Sequence, residues 1–361
     1  MVDTVLLVLA LFGIVGGIDR ILGNRFGLGQ RFEEGFKLIG TVAFSMVGIY
    51  SLSPVLAEVL HPFLRYAAGV LHIDPSIIIS SLLACDMGAY NISLKLAADN
   101  QTALFSGLII ASMMGATVSF TMPIAFGMVK EENYKVLAEG IAIGIIAIPV
   151  GAIFGGITAG MPVDRLTFLI FPLFILSLVL YFALKARSHL MLQILIGLGR
   201  CIVAINIIGI MVLILQSLTK VTLLKDIIPL TDCMSIVGRI AFVLSGTYVF
   251  IEVLYMVLGS RIRKTNGTVK INESTVIGLV TSLASNIPMF AMFDNMDYRG
   301  KLVNAAFSVS GAFVFGGQLG FVAAVAKDMV IPFICAKLTG GITAAIIALL
   351  MSSHRWGFDT T

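Results

Sequence analysis

The sequence predicts an all-α polytopic membrane protein with two re-entrant or broken-helix hairpins arranged as an inverted repeat. Hydrophobic residues make up 58% of its 361 positions and charged residues only 12%, whereas a soluble domain carries about 25% charged residues. Apolar stretches of membrane-spanning length recur along the chain and predict about 9–11 transmembrane helices. In addition, two similar polar stretches about 200 positions apart each interrupt an apolar segment.

The apolar segments follow one another with short polar connections. Residues 2–18 lack the basic start and the A-x-A site of a signal peptide, so we interpret them as the first membrane helix. The longest polar connections, 19–37 and 259–274, are too short to fold alone, which favours a single transmembrane transport domain over residues 1–361. The further predicted spans are 36–60, 102–129, 136–160, 166–184, 190–218, 236–258, 301–326 and 329–353.

The two polar stretches lie in segments 76–98 and 274–298. When Leu83 is set against Leu283, Asp86 meets Asn286 and Tyr90 meets Phe290. Polar, helix-breaking segments at matching places in two apolar halves indicate the binding site of a transporter. The corresponding repeats cover about residues 31–160 and 231–353. The alternative is chance similarity between two apolar stretches.

The basic residues of the loops test this arrangement, because loops rich in Lys and Arg stay in the cytoplasm. If every apolar segment between the basic loops 19–37 and 259–274 crossed the membrane, the loops would lie on opposite sides. If segment 76–98 begins and ends at one face, both loops are cytoplasmic. The two hairpins then approach from opposite sides, as an inverted repeat requires.

Asp86 is the main candidate for a substrate contact, because an ionisable group at membrane depth usually faces a protein interior or a water-filled path. Its carboxylate could be a counter-ion for a cationic substrate or a proton carrier. Alternatively, it could cap the backbone N–H groups that the helix break exposes. Asn286 could form a wall of the same site or cap its own hairpin.

Other candidates surround these two residues. Tyr90, Asn91 and Phe290 belong to the two polar stretches. The aromatic rings could contact an ammonium group or could pack against neighbouring apolar side chains. Gln318 could donate a hydrogen bond to a substrate hydroxyl. Asp297 and Arg299 could form a gating pair on the inner face, or Asp297 could cap the following helix in a solvated turn.

The sequence offers no signature of an enzyme. It contains no H-E-x-x-H, G-x-S-x-G or P-loop motif. The four histidines are scattered and the four cysteines have no metal-ligand spacing, so we expect no metal and no cofactor. The net charge of +4 resides in short loops that orient the chain, so nucleic acid is not an expected partner.

Several motifs resemble those of the ethanolamine-utilisation transporter family, EutH. They are Arg31-Phe32-Glu33-Glu34-Gly35-Phe36, Leu83-Ala84-Cys85-Asp86-Met87-Gly88, Asn286-Ile287-Pro288-Met289-Phe290, Met296-Asp297-Tyr298-Arg299-Gly300-Lys301 and Leu319-Gly320-Phe321. The resemblance implies a multi-pass permease of the bacterial inner membrane that carries ethanolamine into the cell for catabolism. Members of that family carry an Asp-His pair just before Leu-Gly-Phe, where this chain has Gly317-Gln318. If that pair relays protons in the family, this chain lacks the relay.

We therefore expect a permease that carries protonated ethanolamine inward by facilitated diffusion with alternating access. The alternatives are a proton- or sodium-coupled symporter and, in another class, a membrane enzyme that acts on ethanolamine-containing lipid. The lipid bilayer is the expected surrounding. The small-residue faces of several helices also allow a homo-oligomer without selecting one.

Overall fold

The structure is a computed structural model, which describes residues 2–186, 188–219, 221–262 and 273–356. These residues form helices joined by turns, and no strand occurs among them. The α-helices in chain order are α1 (Val2–Ile21), α2 (Leu28–Lys37), α3 (Ile39–Leu71), α4 (Pro75–Ser80), α5 (Ala89–Leu96), α6 (Asn100–Leu104), α7 (Met122–Met128), α8 (Tyr134–Thr158), α9 (Val163–Ala186), α10 (Ser188–Leu218), α11 (Leu230–Ile262), α12 (Glu273–Ser282), α13 (Asn286–Ala291), α14 (Tyr298–Ser310), α15 (Gly317–Val325) and α16 (Val330–Trp356).

Eight helical segments of the described chain are long and apolar enough to cross a membrane. This confirms the prediction of an all-α polytopic membrane protein. The segments are Thr4–Ile21, Leu28–Leu71, Asn100–Met128, Glu131–Thr158, Val163–Leu184, Ile196–Leu218, Leu230–Val257 and Lys327–Ser352.

The predicted single span 301–326 is broken in the structure into α14 and α15. The intervening backbone is hydrogen-bonded to another segment, because Phe313 N donates to Ser282 O (3.0 Å) and Phe315 N donates to Leu283 O (2.8 Å). Phe313 adopts a left-handed conformation, with φ of 60°. A helix cannot continue through residues whose N–H groups are bonded elsewhere.

Segment 75–96, which we call hairpin 1, consists of α4 and α5 packed against each other. Its two ends lie together, because the Asp74 carboxylate accepts from Ser76 N (2.9 Å) and from Ala98 N (3.0 Å). The Ser80 and Ser93 hydroxyls also join the two arms at 3.0 Å. Hairpin 1 therefore begins and ends at one face of the molecule.

Segment 273–291, which we call hairpin 2, consists of α12 and α13, again packed against each other. Its start is tied to the helix that follows it, because Asn304 Nδ2 donates to Thr275 O at 3.0 Å. Gly300 makes this approach possible, since a Cβ at that position would lie 1.9 Å from Thr275 Oγ1. Both ends of hairpin 2 therefore lie at one face as well.

The first basic loop lies beside the end of α11, which leads into the second basic loop. α2 packs on α11, and Arg31 Nε contacts Glu252 Oε2 at 2.8 Å. Residues 263–272 of the second loop lie outside the described residues. We call this side of the molecule the basic face. Within the described chain, hairpin 1 follows the far end of the 33-residue α3, whereas the first arm of hairpin 2 lines a cavity together with Arg31 and Lys37 of the basic face.

The helix that follows hairpin 1 is wound unusually. Between α6 and α7 the backbone is π-helical over Phe105–Gly115 and Thr117–Thr121, and this region is almost entirely buried. Wide π turns inside helices occur frequently at functional sites. The turn around Gly115 and Ser119 contacts hairpin 1.

Candidate functional site

The tip of hairpin 1 rests on the π-helical turn of the following helix. Ser119 Oγ accepts from Ala84 N at 3.2 Å, and a Cβ at Gly115 would lie 2.0 Å from Leu83 O. A short 3₁₀ turn, Cys85–Met87, then carries Asp86. Gly88, with φ of 96°, reverses the chain into α5, and this conformation favours glycine.

The tip of hairpin 2 is built from the same kinds of contact. A Cβ at Gly316 would lie 2.2 Å from Ala284 O. The Ser285 hydroxyl caps α13 by accepting from Ile287 N at 3.3 Å. Asn286 is fully buried, and its Nδ2 donates to Thr121 Oγ1 (3.2 Å) in the helix that follows hairpin 1. Its Oδ1 has no hydrogen-bond partner among the described residues.

A cavity of about 360 Å³, which we call the central cavity, lies between the two tips. Asp86 lines it from hairpin 1, Ala284 and Ser285 line it from hairpin 2, and Gln318 lines it from α15. The remaining lining residues are Leu38, Thr41, Val42, Ser45, Ala84, Met87, Phe120, Ile124, Leu244, Tyr248, Ile287, Phe313 and Gly317. Two of the sequence-predicted site residues, Asp86 and Gln318, are thus brought to one cavity.

Asp86 is half-buried and presents an available carboxylate. Within the described chain, no other residue donates a hydrogen bond to it. Backbone N–H groups of hairpin 1 find other acceptors, since Asp74 accepts from those at its two ends and Ser119 Oγ accepts from Ala84 N at its tip. This arrangement leaves the carboxylate free to accept hydrogen bonds from a ligand.

Three other predicted site residues pack outside the lining of this cavity. The Tyr90 ring packs edge-on against Phe321, with centroids 5.9 Å apart. Asn91 Nδ2 donates to Ser53 Oγ at 2.9 Å. Phe290 is buried beside Phe293, with ring centroids 6.3 Å apart.

Other aromatic rings line the central cavity. Phe120 and Phe313 meet edge to face with centroids 5.5 Å apart, and Tyr248 lies on the wall formed by α11. Aromatic faces can attract a ligand cation electrostatically. Sequence reasoning missed these rings because aromatic residues are spread through all the apolar segments.

Lys337, on α16, is the functional candidate that the sequence reasoning overlooked. It is 1% exposed, and its Nζ donates to Ser112 O (2.7 Å) and to Gln318 Oε1 (2.9 Å). Its ammonium also lies 5.4 Å from the centre of the Phe333 ring. The available signal was a single lysine inside the predicted span 329–353, because a charge at membrane depth marks a functional site by default.

A second cavity, of about 590 Å³, lies towards the basic face, and we call it the vestibule. It carries the charged residues Arg31, Glu34, Lys37 and Glu252. The vestibule and the central cavity share four lining residues, namely Leu38, Tyr248, Ala284 and Ser285. The central cavity is therefore adjoined on this side by a wider, charged space.

The predicted gating residues lie beyond hairpin 2. The Asp297 carboxylate caps α14 by accepting from Gly300 N at 2.8 Å. Arg299 is partly buried, and its Nε has no hydrogen-bond partner within the described chain. The ion pairs of the described residues do not include one between these two side chains.

Apolar spanning helices, broken hairpins and a cavity between the hairpin tips that carries a carboxylate and an amide are features of secondary membrane transporters. The family model described as "Ethanolamine utilisation protein, EutH" matches residues 1–351, and the chain belongs to this family. The predicted family is thereby confirmed.

Named relatives agree with that assignment over nearly their whole length. The chain is 38% identical to a protein of Listeria monocytogenes named probable ethanolamine permease EutH, over 98% of this chain and 94% of that protein. It is 33% identical to a protein of the same name from Salmonella typhimurium, over 97% and 95%. It is also 37% identical to the uncharacterized protein YxeR of Bacillus subtilis, over 97% and 95%. No solved structure matches the chain.

Family and fold together make the chain a multi-pass membrane protein of a permease family, not an enzyme. The expected localisation in the cell membrane and the expected contact with the lipid bilayer are confirmed in the same way.

Proposed function

We propose that this protein is a permease that carries protonated ethanolamine into the cell through the central cavity. The observation that carries the proposal is the available Asp86 carboxylate in that cavity. A primary alkylammonium titrates near lysine, at about pH 10, so ethanolamine is a cation at neutral pH. Such a cation needs an anion to replace its lost hydration, and Asp86 supplies one.

The remaining lining suits the rest of this small molecule. Gln318 offers an amide group for the hydroxyl, while Phe120 and Phe313 offer ring faces and apolar surface. Relatives named probable ethanolamine permeases support the choice of substrate. Asn286 contributes a buried amide beside the lining of hairpin 2, whereas Tyr90, Asn91 and Phe290 support the hairpins by packing.

The contacts of the two hairpins support an inverted repeat within one transport domain. Gly115 lies against the tip of hairpin 1 and Gly316 against the tip of hairpin 2. The tip of hairpin 1 contacts α15 of the second half, and α13 of hairpin 2 contacts α7 of the first half. Such reciprocal contacts suit alternating access by movement of one repeat against the other.

The direction of transport follows from charge. The inside-negative membrane potential favours the entry of a cation by about 2.3 kcal/mol per 100 mV. Facilitated diffusion therefore suffices for inward movement when the cell consumes the substrate. We expect Asp297 and Arg299, which follow hairpin 2, to act in gating when hairpin 2 moves, with Asp297 also capping α14.

The test is uptake of labelled ethanolamine into proteoliposomes under an imposed potential, with and without proton and sodium gradients. We expect uptake to follow the potential, to ignore both ion gradients and to collapse at least about tenfold in Asp86→Asn, since the ammonium loses its counter-ion. Glu58→Gln, which alters an exposed ion pair with Lys95, is the matched control and keeps normal uptake.

Each of the other possible results of the uptake experiment would contradict one part of the proposal. A requirement for a proton or sodium gradient would replace facilitated diffusion by symport. Normal uptake by Asp86→Asn would remove Asp86 from the substrate site. Absence of saturable ethanolamine uptake by the wild-type protein would overturn the proposed substrate.

A further inference from the structure

Lys337 and Gln318 form a buried pair at the wall of the central cavity. The lysine ammonium is enclosed, and it donates one hydrogen bond to a backbone carbonyl of the π-helical segment and one to Gln318 Oε1. Burying a charge inside a membrane protein costs several kcal/mol unless its hydrogen bonds are satisfied. Its presence behind a cavity residue therefore calls for a role.

The chemistry of the pair fixes the orientation of the Gln318 amide. An ammonium group only donates hydrogen bonds, whereas a glutamine side chain has one accepting oxygen and one donating NH₂ group. The oxygen must therefore point towards Lys337, and the NH₂ group must point away from it. No described residue accepts a hydrogen bond from Gln318 Nε2, so this group is free to donate into the central cavity.

We propose that Lys337 is a positioning residue that locks Gln318 as a hydrogen-bond donor, and that this donor selects substrates with a hydroxyl group beside their ammonium. The inference rests on the proposed function and deepens it. The central cavity then presents an accepting carboxylate from Asp86 and a donating amide from Gln318. Ethanolamine matches both groups, because its ammonium donates and its hydroxyl oxygen accepts.

Two close analogues of ethanolamine test the contribution of its hydroxyl group to recognition. n-Propylamine has a methyl group in place of the hydroxyl and leaves the amide donor unpaired. Ethylenediamine has a second amine there, which becomes a donor when it is protonated and then meets the amide donor unfavourably. A site built to bond a hydroxyl rejects the analogue that lacks it, because the buried polar group is left unsatisfied.

The experiment is competition of each amine against labelled ethanolamine in proteoliposomes of the full chain. In the wild-type protein we expect ethanolamine to compete at least about tenfold better than n-propylamine, the size of one good hydrogen bond. In Gln318→Leu the ratio should fall to within about threefold. Lys337→Met should lower the ratio in the same way, because the amide can then rotate, whereas Lys337→Arg should retain it.

Gln318→Glu distinguishes a role in substrate selection from a purely structural role of residue 318. The carboxylate can bond Lys337 through one oxygen and present the other to the cavity as an acceptor. The preference should then shift towards ethylenediamine by about tenfold relative to the wild-type protein. Lys225→Met, at an exposed position away from the cavity, is the matched control and should leave every ratio unchanged.

The outcomes separate this inference from the proposed function. If the wild-type protein shows no saturable ethanolamine uptake, the proposed function fails. If it takes up ethanolamine but does not distinguish n-propylamine, only the inference fails. Unchanged ratios in Gln318→Leu and Gln318→Glu would also overturn it, even if Lys337→Met does not fold.

Discussion

Gly115 determines how closely hairpin 1 can approach the helix behind it. A Cβ at this position would lie 2.0 Å from Leu83 O and 2.5 Å from Ser80 O, and both atoms belong to backbone that cannot move cheaply. We expect Gly115→Ala to destabilise the protein by about 1–3 kcal/mol, the usual cost of overpacking. Uptake should fall as well, since Asp86 lies three residues beyond Leu83. Thermal unfolding in detergent and ethanolamine uptake measure the two effects.

The control lies in the same transmembrane segment. Gly127 has open space around its Cβ position, so Gly127→Ala should preserve or slightly raise stability through better helix propensity. Equal unfolding temperatures for Gly115→Ala and Gly127→Ala would contradict the close approach of hairpin 1.

Single residues also show what the sequence could reveal about the site. Asp86 was identifiable because it is an isolated charge in apolar sequence, within a stretch that breaks a helix. In the structure it lines the central cavity. Lys337 is an equally isolated charge, but it lies within an unbroken apolar segment. The alignment of the two polar stretches therefore did not include it. Its contact with Gln318 joins residues 19 positions apart on different helices, which only the tertiary structure brings together.

At the level of elements, Asp99 joins the start of the helix behind hairpin 1 to α9. Its carboxylate accepts from Thr102 N (3.0 Å) and pairs with Arg165 Nη1 (2.9 Å). The backbone hydrogen bond from Thr102, aided by Arg165, lowers the pKa of Asp99 below its usual value. A lowered folded-state pKa stabilises the protein above the unfolded pKa, near 4, and this stabilisation is lost as the pH falls through the folded value.

We therefore expect Asp99→Asn to be less stable than the wild-type protein at pH 7, by under about 1 kcal/mol because the ion pair is exposed. Asparagine still caps helices well, so the difference should report the charge alone. It should diminish when the pH is lowered from 7 to about 3, below the unfolded pKa near 4, because the Asp99 carboxylate then begins to take up a proton. Unfolding temperatures at both pH values measure this, with Asp164→Asn as the neighbouring control. A difference that persists undiminished at low pH would contradict the charge effect.

Elements also mark the limit of the sequence analysis. Charge in the loops predicted that segment 76–98 begins and ends at one face, and the Asp74 contacts to both ends of hairpin 1 agree with that prediction. The break between α14 and α15 was not predicted, because its glycines resemble the packing glycines of ordinary membrane helices. The cause is a pair of backbone hydrogen bonds to hairpin 2, and distant partners of this kind leave no local pattern.

At the scale of the whole molecule, the adjoining vestibule and central cavity predict which side reaches the substrate site in this conformation. Ile287 lines the central cavity and Val280 lines the vestibule. After replacement of the four native cysteines, Ile287→Cys and Val280→Cys should react with a membrane-impermeant thiol reagent in inside-out vesicles. Ser308→Cys, which lies at a fully buried position, is the control and should not react from either side.

Ethanolamine then distinguishes a carrier from a channel. Occupancy of the central cavity should slow modification of Ile287→Cys several-fold, because the ligand covers the thiol. If the two repeats alternate, substrate also shifts the population between conformations, so modification of Val280→Cys should change although no ligand touches it. Equal and simultaneous modification of Ile287→Cys from both sides would instead describe a continuous pore, since an alternating carrier exposes its central cavity to one side at a time.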